Sequence, residues 1–550
     1  MWLDEADGFA EIFRGYLPFY LFVALPIFII IAPVAPVAAS HEFSVYRMQQ
    51  YDLHSVPHGC RGSSFNLEGR SLTSWATSRH CAVAKIQDIS IDQFVAIRSK
   101  AGALLLVLPK NDTVLTAEER EHIQLLEMAM LQQEANIPIY FVKWTPELED
   151  ILGDLQHSMI TDDKAGTALE AMFNGVSSNG YQIVVSTTAP QKLESKGVTL
   201  HGKLAGKSSS GQTIVITAHY DSAGVVPELA LGADSNASGA VALLELARVF
   251  SRLYSTAAMR GGASIVFVLT SVGHSLNYFG AKRWLEEQLD TSDTSLLSDV
   301  SFVACLDSLS SAPRLQMHVS KPPRPGGAAH SMKSRLGAPV VHKKINLADE
   351  ALAWQHERFS IRRMSAFTLS SLQSHKDPSR FSVLDTPQES SIKHLISNIR
   401  TTARALASHI YNMTEEENKE DPELYDDMLA VDEESIKYWY KYLSLQSRAP
   451  QLITTGPTNG GVTGALERVL SRYMEVTSTV HLVDKREPQH VLYGPTRATL
   501  NVYTVKPAVF DLILTLVIVA YLTIVYFAIQ YFPSFYKEFF KMVTGKTKVD

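Results

Sequence analysis

Hydrophobic and polar residues change rhythm several times along this chain, and the clearest rhythm lies in the middle. Residues 213–218 (TIVITA), 263–270 (ASIVFVLT) and 301–306 (SFVACL) are short, continuous apolar runs. Such runs are the pattern of strands buried on both faces. Between them, 239–254 and 280–289 repeat apolar residues at helical spacing, and 366–369 and 389–413 add a strand and a long helix. Apolar strands separated by amphipathic helices predict a central sheet with helices on both faces. Upstream, 103–108 and 137–142 predict strands on either side of a helix, whose start is marked by Thr116 with Glu119 three places on. This unit predicts an N-terminal α/β layer. Residues 41–99 show few clear periods, and 145–190 read as helix and then strand, with turns at Asn174-Gly175 and Asn179-Gly180. Downstream, 433–445 and 464–476 predict helices, and 479–505 alternates like a strand pair.

The two ends follow a different rhythm. Residues 508–532 are strongly apolar, with Asp511 their one charge, and long enough to cross a hydrocarbon core of roughly 30 Å at about 1.5 Å per residue. They predict a transmembrane helix. The tail beyond it, 533–550, carries Lys537, Lys541, Lys546 and Lys548 against Glu538 and Asp550, a bias that places it in the cytosol and the preceding bulk in a lumen or outside the cell. Lys546 and Lys548 near the end of KTKVD resemble a dilysine retrieval signal of the endoplasmic reticulum. Residues 1–40 contain a second apolar stretch that ends in small residues and predicts a signal peptide cleaved near Ala39 or Ser40. Its acidic start leaves an uncleaved anchor open, although four prolines would punctuate a spanning helix. Sequons at Asn111, Asn236 and Asn412 all fall in the predicted luminal part.

Composition changes the picture only a little. Charged residues are 19% and apolar ones 46%, so the chain is greasier than an average soluble protein, as a membrane segment requires. The net charge of −7 equals that of 415–427, an acidic run that reads as a solvated linker, and the near-neutral remainder argues against direct nucleic-acid binding. Cys60, Cys81 and Cys305 are too few for a disulfide scaffold; one bond is permitted and none is implied.

Candidate chemistry gathers where an open α/β sheet places its sites, at the C-terminal ends of the strands. His219 and Asp221 follow the first apolar run as AHYD, Asp234 lies in GADSNASG before a helix, Asp307 ends VACLD, and His375 follows the strand AFTLS. Two histidines and several aspartates converging from separate strand ends are the donors zinc takes, with Asp221 suited to orient His219.

These motifs resemble the M28 family of di-zinc aminopeptidases over about 190–413. What the resemblance implies is an M28-like mixed sheet sandwiched by helices. In that family the HxD histidine, the second acid of GADD, a Glu-Glu pair, an Asp and a late His hold two zincs, and the first Glu is the general base. His219, Asp307 and His375 match. Elsewhere this sequence departs: the bridging ligand falls on Ser235, and the Glu-Glu pair falls on Gly273 and His274. A serine cannot supply the anionic bridge and glycine cannot take a proton, so these are expected to be vestigial metal positions with no bound metal, no cofactor and no catalytic residue.

Longer stretches, among them HEFSVYRMQQYDL, INLADEALAWQHERFSIRRM and VKPAVFDL, resemble the nicastrin-related branch of that family from near one end of the chain to the other. That resemblance implies a single-span glycoprotein of the endoplasmic-reticulum membrane, without catalytic activity, that joins the Nodal modulator protein and a small multipass membrane protein. Through them it meets the translocon and the ribosome, aiding multipass membrane-protein biogenesis, with a link to Nodal signalling and receptor assembly. The expected organisation is 1–40 signal, 41–189 N-terminal α/β region, 190–413 M28-like domain, 414–507 acidic linker and membrane-proximal region, 508–532 span and 533–550 tail. Two rivals stand beside the scaffold: a receptor that docks peptides or free N-termini in the emptied pocket, and an aminopeptidase with residual zinc activity.

Overall fold

The apolar runs of the sequence become the middle of an eight-stranded mixed sheet. In this computed structural model, which describes residues 39–110, 113–164, 180–208, 211–291, 295–349, 351–413, 429–453, 460–505 and 508–545, the strand order is Val340–His342, Gln316–Val319, Ala366–Ser370, Val300–Leu306, Thr213–His219, Ser264–Thr270, Lys196–Leu204, Val476–Leu482. Ala366–Ser370, Val300–Leu306, Thr213–His219 and Ser264–Thr270 run parallel. Gln316–Val319 and Lys196–Leu204 add to them antiparallel, and Val476–Leu482 pairs antiparallel with Lys196–Leu204.

Alternate residues of these strands serve opposite faces, as a pleated strand demands. Ile214, Ile216 and Ala218 face one core with helices Gly239–Ser255 and Glu389–Ile410. Val215, Val266, Val268, Val303 and Cys305 face the other, against Trp284 of helix Phe279–Asp290 and Phe359 of helix His356–Ile361. From the central strand Thr213–His219 the chain goes first to the neighbour on one side and then to the neighbour on the other. The crevice at the C-terminal ends of these strands is therefore the topological switch point.

Around this sheet the structure departs from the sequence reading in three places. Residues 41–99 are built of five strands and a helix, Ile91–Lys100. Their alternation is hidden because polar residues take inward positions: in His41–Arg47, Arg47 is buried beside Phe43 and Val45 and donates to Gln50 Oε1 at 2.7 Å and to the Gly62 carbonyl at 2.9 Å. Lys196–Leu204, Gln316–Val319 and Val340–His342 are strands as well, too short or too interrupted by basic residues to show a period. Finally, 479–505 is not a simple pair. Val476–Leu482 ends the eight-stranded sheet, whereas His490–Gly494 lies in a five-stranded sheet between Gln191–Leu193 and Gln50–Leu53, beside Val56–Cys60 and Glu134–Ala135.

The N-terminal α/β layer is built on a parallel ladder: Phe65–Ser71, His80–Lys85, Ala103–Val107 and Ile139–Val142 are successive parallel neighbours. Helix Ala117–Gln132 starts in the predicted capping box, with the Glu119 amide donating to Thr116 Oγ1 at 3.2 Å and the Thr116 amide donating to Glu119 Oε2 at 2.9 Å.

By density of contacts, residues 43–149 and 184–500 make one compact unit that takes in the N-terminal layer, the large sheet and helices Glu433–Ser444 and Gly461–Leu470. Ile436, Tyr440, Leu443, Leu466 and Leu470 of those two helices lie inside the core of the large sheet. Contacts thus cross the boundaries that sequence character suggests at 189 and 413. Among the described residues the second unit holds 39–42, 150–164, 180–183, 501–505 and 508–545; within it Tyr181 donates to Asp154 Oδ2 at 2.5 Å and Ser40 Oγ donates to the Val502 carbonyl at 2.7 Å.

The C-terminal apolar segment is one helix, Ala508–Gly545, 38 residues long. Within it Asp511–Glu538 is long and apolar enough to cross a membrane, its most apolar 18-residue window having a mean hydropathy of 2.7. The helix continues past residue 532, through Pro533, into the basic tail. The predicted signal region through residue 38, Asn111, the acidic run 415–427, Lys546 and Lys548 lie outside the described residues.

Candidate functional site

Strand ends bring most of the predicted residues together. His219 closes strand Thr213–His219, Gly273 and His274 follow Ser264–Thr270, and Asp307 follows Val300–Leu306. Asp234, Ser235 and Asn236 come from the irregular turn Ala233–Ser238, which leads into helix Gly239–Ser255. His219, Asp221, Ser235, His274 and Asp307 are all buried. The rings of His219 and His274 lie 5.5 Å apart.

Asn236 organises this cluster. Its Nδ2 donates to the carbonyls of His219 at 2.9 Å and Leu306 at 3.0 Å, and its Oδ1 accepts from the amides of Gly239 at 3.0 Å and Ser308 at 3.1 Å. One amide side chain thereby ties two strand ends to a helix start. These bonds bear on the sequon at Asn236. The side chain is fully buried with both ends used, and a sugar on Nδ2 would cost those bonds. Asn412, by contrast, is exposed at the end of helix Glu389–Ile410.

Both imidazoles are buried and neutral. Asn236 Nδ2, which can only donate, sits 3.3 Å from His219 Nδ1, so the contact favours the tautomer with its proton on Nε2. Burial pulls the His219 pKa down to about 4 and that of His274 well below its ordinary value. His274 Nε2 donates to the Arg380 carbonyl at 3.1 Å, and its ring packs on Phe381 at 4.7 Å. Asp221 does not orient His219. Its Oδ2 accepts from the Gly273 amide at 2.7 Å, and burial raises its pKa to about 7.

Gly273 is more than a missing carboxylate. A Cβ built there would stand 2.6 Å from His219 Cγ and 2.9 Å from Asp221 Oδ1. The space a side chain would need is already taken.

Asp307 faces an arginine. Arg380 Nη2 donates to Asp307 Oδ2 at 2.7 Å, with the two side chains 2% and 0% exposed. Burial alone would raise the Asp307 pKa; the guanidinium overrides it and holds the carboxyl below the ordinary range. Arg380 also donates to the Tyr278 hydroxyl at 3.2 Å and to the carbonyls of Ala353 and His375 at 3.3 Å each, and it stacks over Trp354 at 4.4 Å. His375 is thus tied to the site through its backbone. Its half-buried ring has Lys343, Arg380, Lys376 and His318 as electrostatic neighbours.

Two further groups escaped the sequence reading. Asp385 accepts from the amides of Asp234 and Ser235 at 2.9 Å each, and burial lifts its pKa to about 7. Asp234 in turn accepts from the Ser310 amide at 2.6 Å and its hydroxyl at 2.8 Å, so it serves the backbone rather than the place where Ser235 stands. Arg448 is fully buried and donates to the carbonyls of Tyr220, Leu231, Leu443 and Gly232. In sequence, Arg380 in PSRF and Arg448 in QSRAP look like ordinary surface arginines; only spatial neighbours distinguish them.

These donors do not fit the two zincs of the M28 pattern. Among the described residues no group of three or more His, Cys, Asp and Glu side chains could hold a metal ion. Asp307 is neutralised by Arg380, Ser235 is uncharged, and position 273 has no side chain. Cys60, Cys81 and Cys305 are each buried and unbonded to one another.

Comparisons with known proteins agree with this layout. The profile of peptidase family M28 matches residues 199–334, a span that includes His219 to Asp307 and leaves out His375 and Arg380. A mouse protein named BOS complex subunit NCLN is 40% identical over 97% of this chain and 98% of its own length, and the human protein of that name is 39% identical over 99% of this chain and 100% of its own. A Caenorhabditis elegans protein named Nicalin is 30% identical over 88% of this chain and 89% of its own. The crystal structure of the gamma-secretase component Nicastrin has the same fold, with a TM-score of 0.56, 9% identity, and coverage of 86% of this chain and 100% of that one.

Proposed function

The chain belongs to the nicalin family, whose members include the proteins named BOS complex subunit NCLN, and from that premise we propose that it is a non-catalytic subunit of a membrane complex. The observation that carries the reading is the end-to-end likeness to relatives bearing that name, 97% of this chain against 98% of the mouse protein. The strand-end cluster supports it from the other side. Hydrolysis of a peptide bond needs a group to activate water, and neither Gly273 nor the serine at 235 can do so.

The finer reading follows the resemblance. The protein sits in the endoplasmic-reticulum membrane as a single-pass type I protein, anchored by the helix Ala508–Gly545 with its bulk in the lumen. It joins the Nodal modulator protein and a small multipass membrane protein. Together they assist multipass membrane-protein biogenesis at the translocon, with an output in Nodal signalling or receptor assembly. The positions His219, Asp221, Asp234, Ser235, Gly273, His274, Asp307 and His375 are vestigial metal positions on this reading, and Lys546 and Lys548 supply retrieval.

The test is isolation of the tagged full chain from mildly solubilised endoplasmic-reticulum membranes, followed by mass spectrometry and a peptidase assay on the same sample. The expected result is co-isolation of both partners and of ribosome-bound translocon, with no peptide cleavage. A chain that isolates alone and trims peptides in a zinc-dependent way, lost on His219→Ala, would overturn it.

A further inference from the structure

An M28-like fold gathers carboxylates and imidazoles at its strand ends, and in the zinc enzymes the metals balance that negative charge. Here the carboxyls of Asp221 and Asp307 are buried, and those of Asp234 and Asp385 half-buried, around the same turn and strand ends. Burying uncompensated carboxylates is costly, so something must either neutralise them or supply positive charge. Asp221 and Asp385 are met by backbone donors, the Gly273 amide at 2.7 Å for the one and the amides of Asp234 and Ser235 at 2.9 Å for the other. Asp307 is met by a full positive charge, the Arg380 guanidinium.

We infer that Arg380 is a built-in cation that takes over the charge-balancing part of the family's metal at Asp307, so that the strand-end cluster holds together without zinc and is closed to it. The geometry is specific. The guanidinium reaches in from the turn Pro378–Phe381 and bonds Asp307 at 2.7 Å. Tyr278 on one side and Trp354 beneath fix its plane. The turn that delivers it is itself fixed: the Asp377 side chain caps it by accepting from the Ser379 amide at 3.0 Å, and Phe381, Val383 and Leu384 just after it pack on the N-terminal core. A second cation close to Asp307 would meet the full charge of this guanidinium, and Asp307 Oδ1 is already engaged by the Ser308 hydroxyl at 2.9 Å.

Unlike a metal, an arginine cannot be removed by a chelator or lose its charge at physiological pH. The expected behaviour is a luminal fold whose stability is indifferent to zinc supply. The inference rests on the geometry of the cluster and does not depend on which partners the chain joins.

The experiment uses the full chain purified in detergent, dialysed against trace zinc, with metal content by elemental analysis and thermal unfolding with and without EDTA. The expected result is no bound zinc, an unfolding midpoint unmoved by EDTA, and a clearly lowered midpoint for Arg380→Met and for Asp307→Asn. The double variant Arg380→Met/Asp307→Asn, which leaves neither charge buried alone, should regain much of what either single change loses. Should Arg380→Met not fold, the comparison of Asp307→Asn with the double variant carries the test, and the double must be the more stable. Stoichiometric zinc in the wild-type chain overturns the inference even if no peptide is cleaved, which leaves the subunit reading standing. An Arg380→Met midpoint equal to wild type, or a double variant that loses the sum of both single losses, overturns it as well.

Discussion

Gly273 shows how little a residue reveals about its environment until its neighbours are known. Read as a sequence position it is the loss of a carboxylate; in the fold its missing Cβ is also the place into which His219 and Asp221 press. Gly273→Ala is therefore expected to destabilise by about 1–3 kcal/mol through overpacking, measurable by thermal or chemical unfolding, and Gly273→Glu would not rebuild a working base. Asn236 gives the converse case. Its sequon is as good as that of Asn412, yet its side chain is buried and makes four backbone hydrogen bonds within 3.1 Å, all of which a glycan would disturb. Glycopeptide mapping of the native protein should find sugar at Asn412 and unmodified Asn236. The residue letters are identical in kind; solvent access separates them.

The element that joins the N-terminal layer to the site is helix Ala117–Gln132. Its Glu127 is fully buried, accepts from the Val383 amide at 3.1 Å, and has its pKa raised to about 8 by burial. For an acid with a raised folded pKa the stabilising contribution is full below the unfolded value of 4.5 and is lost as pH climbs through about 8. Glu127→Gln, which keeps an oxygen acceptor and cannot ionise, should therefore gain on the wild type as pH rises, by up to about 1.4 kcal/mol per pH unit between roughly pH 5 and 8. Unfolding midpoints of the two chains across that range check it, and parallel curves would remove Glu127 from the account. The same helix was legible in the sequence from its capping box, as were the central strands from their unbroken apolar runs. The strands of 41–99 were not, because buried polar residues such as Arg47 occupy inward positions and erase the alternation.

At the scale of the whole molecule, the segments that differ most in sequence character share one core. Helices Glu433–Ser444 and Gly461–Leu470 follow the acidic run and still pack against helix Gly239–Ser255 and the large sheet. A chain ended at residue 413 should accordingly lose the folded state of the M28-like region, seen as loss of a cooperative transition and rapid proteolysis, whereas one ended at residue 505 should stay folded and leave the membrane fraction on carbonate extraction. Sequence by itself determined the central α/β alternation, the apolar C-terminal helix, the strand-end positions of His219, Gly273, His274 and Asp307, and the absence of a carboxylate at 273. These are local facts, set by periodicity, length and chemical identity. Only the tertiary structure decided that Arg380 neutralises Asp307, that Asp385 caps the turn before Asn236, and that Asn236 is interior. A buried charge is chosen by neighbours brought close from far along the chain, and 73 residues separate Asp307 from its guanidinium.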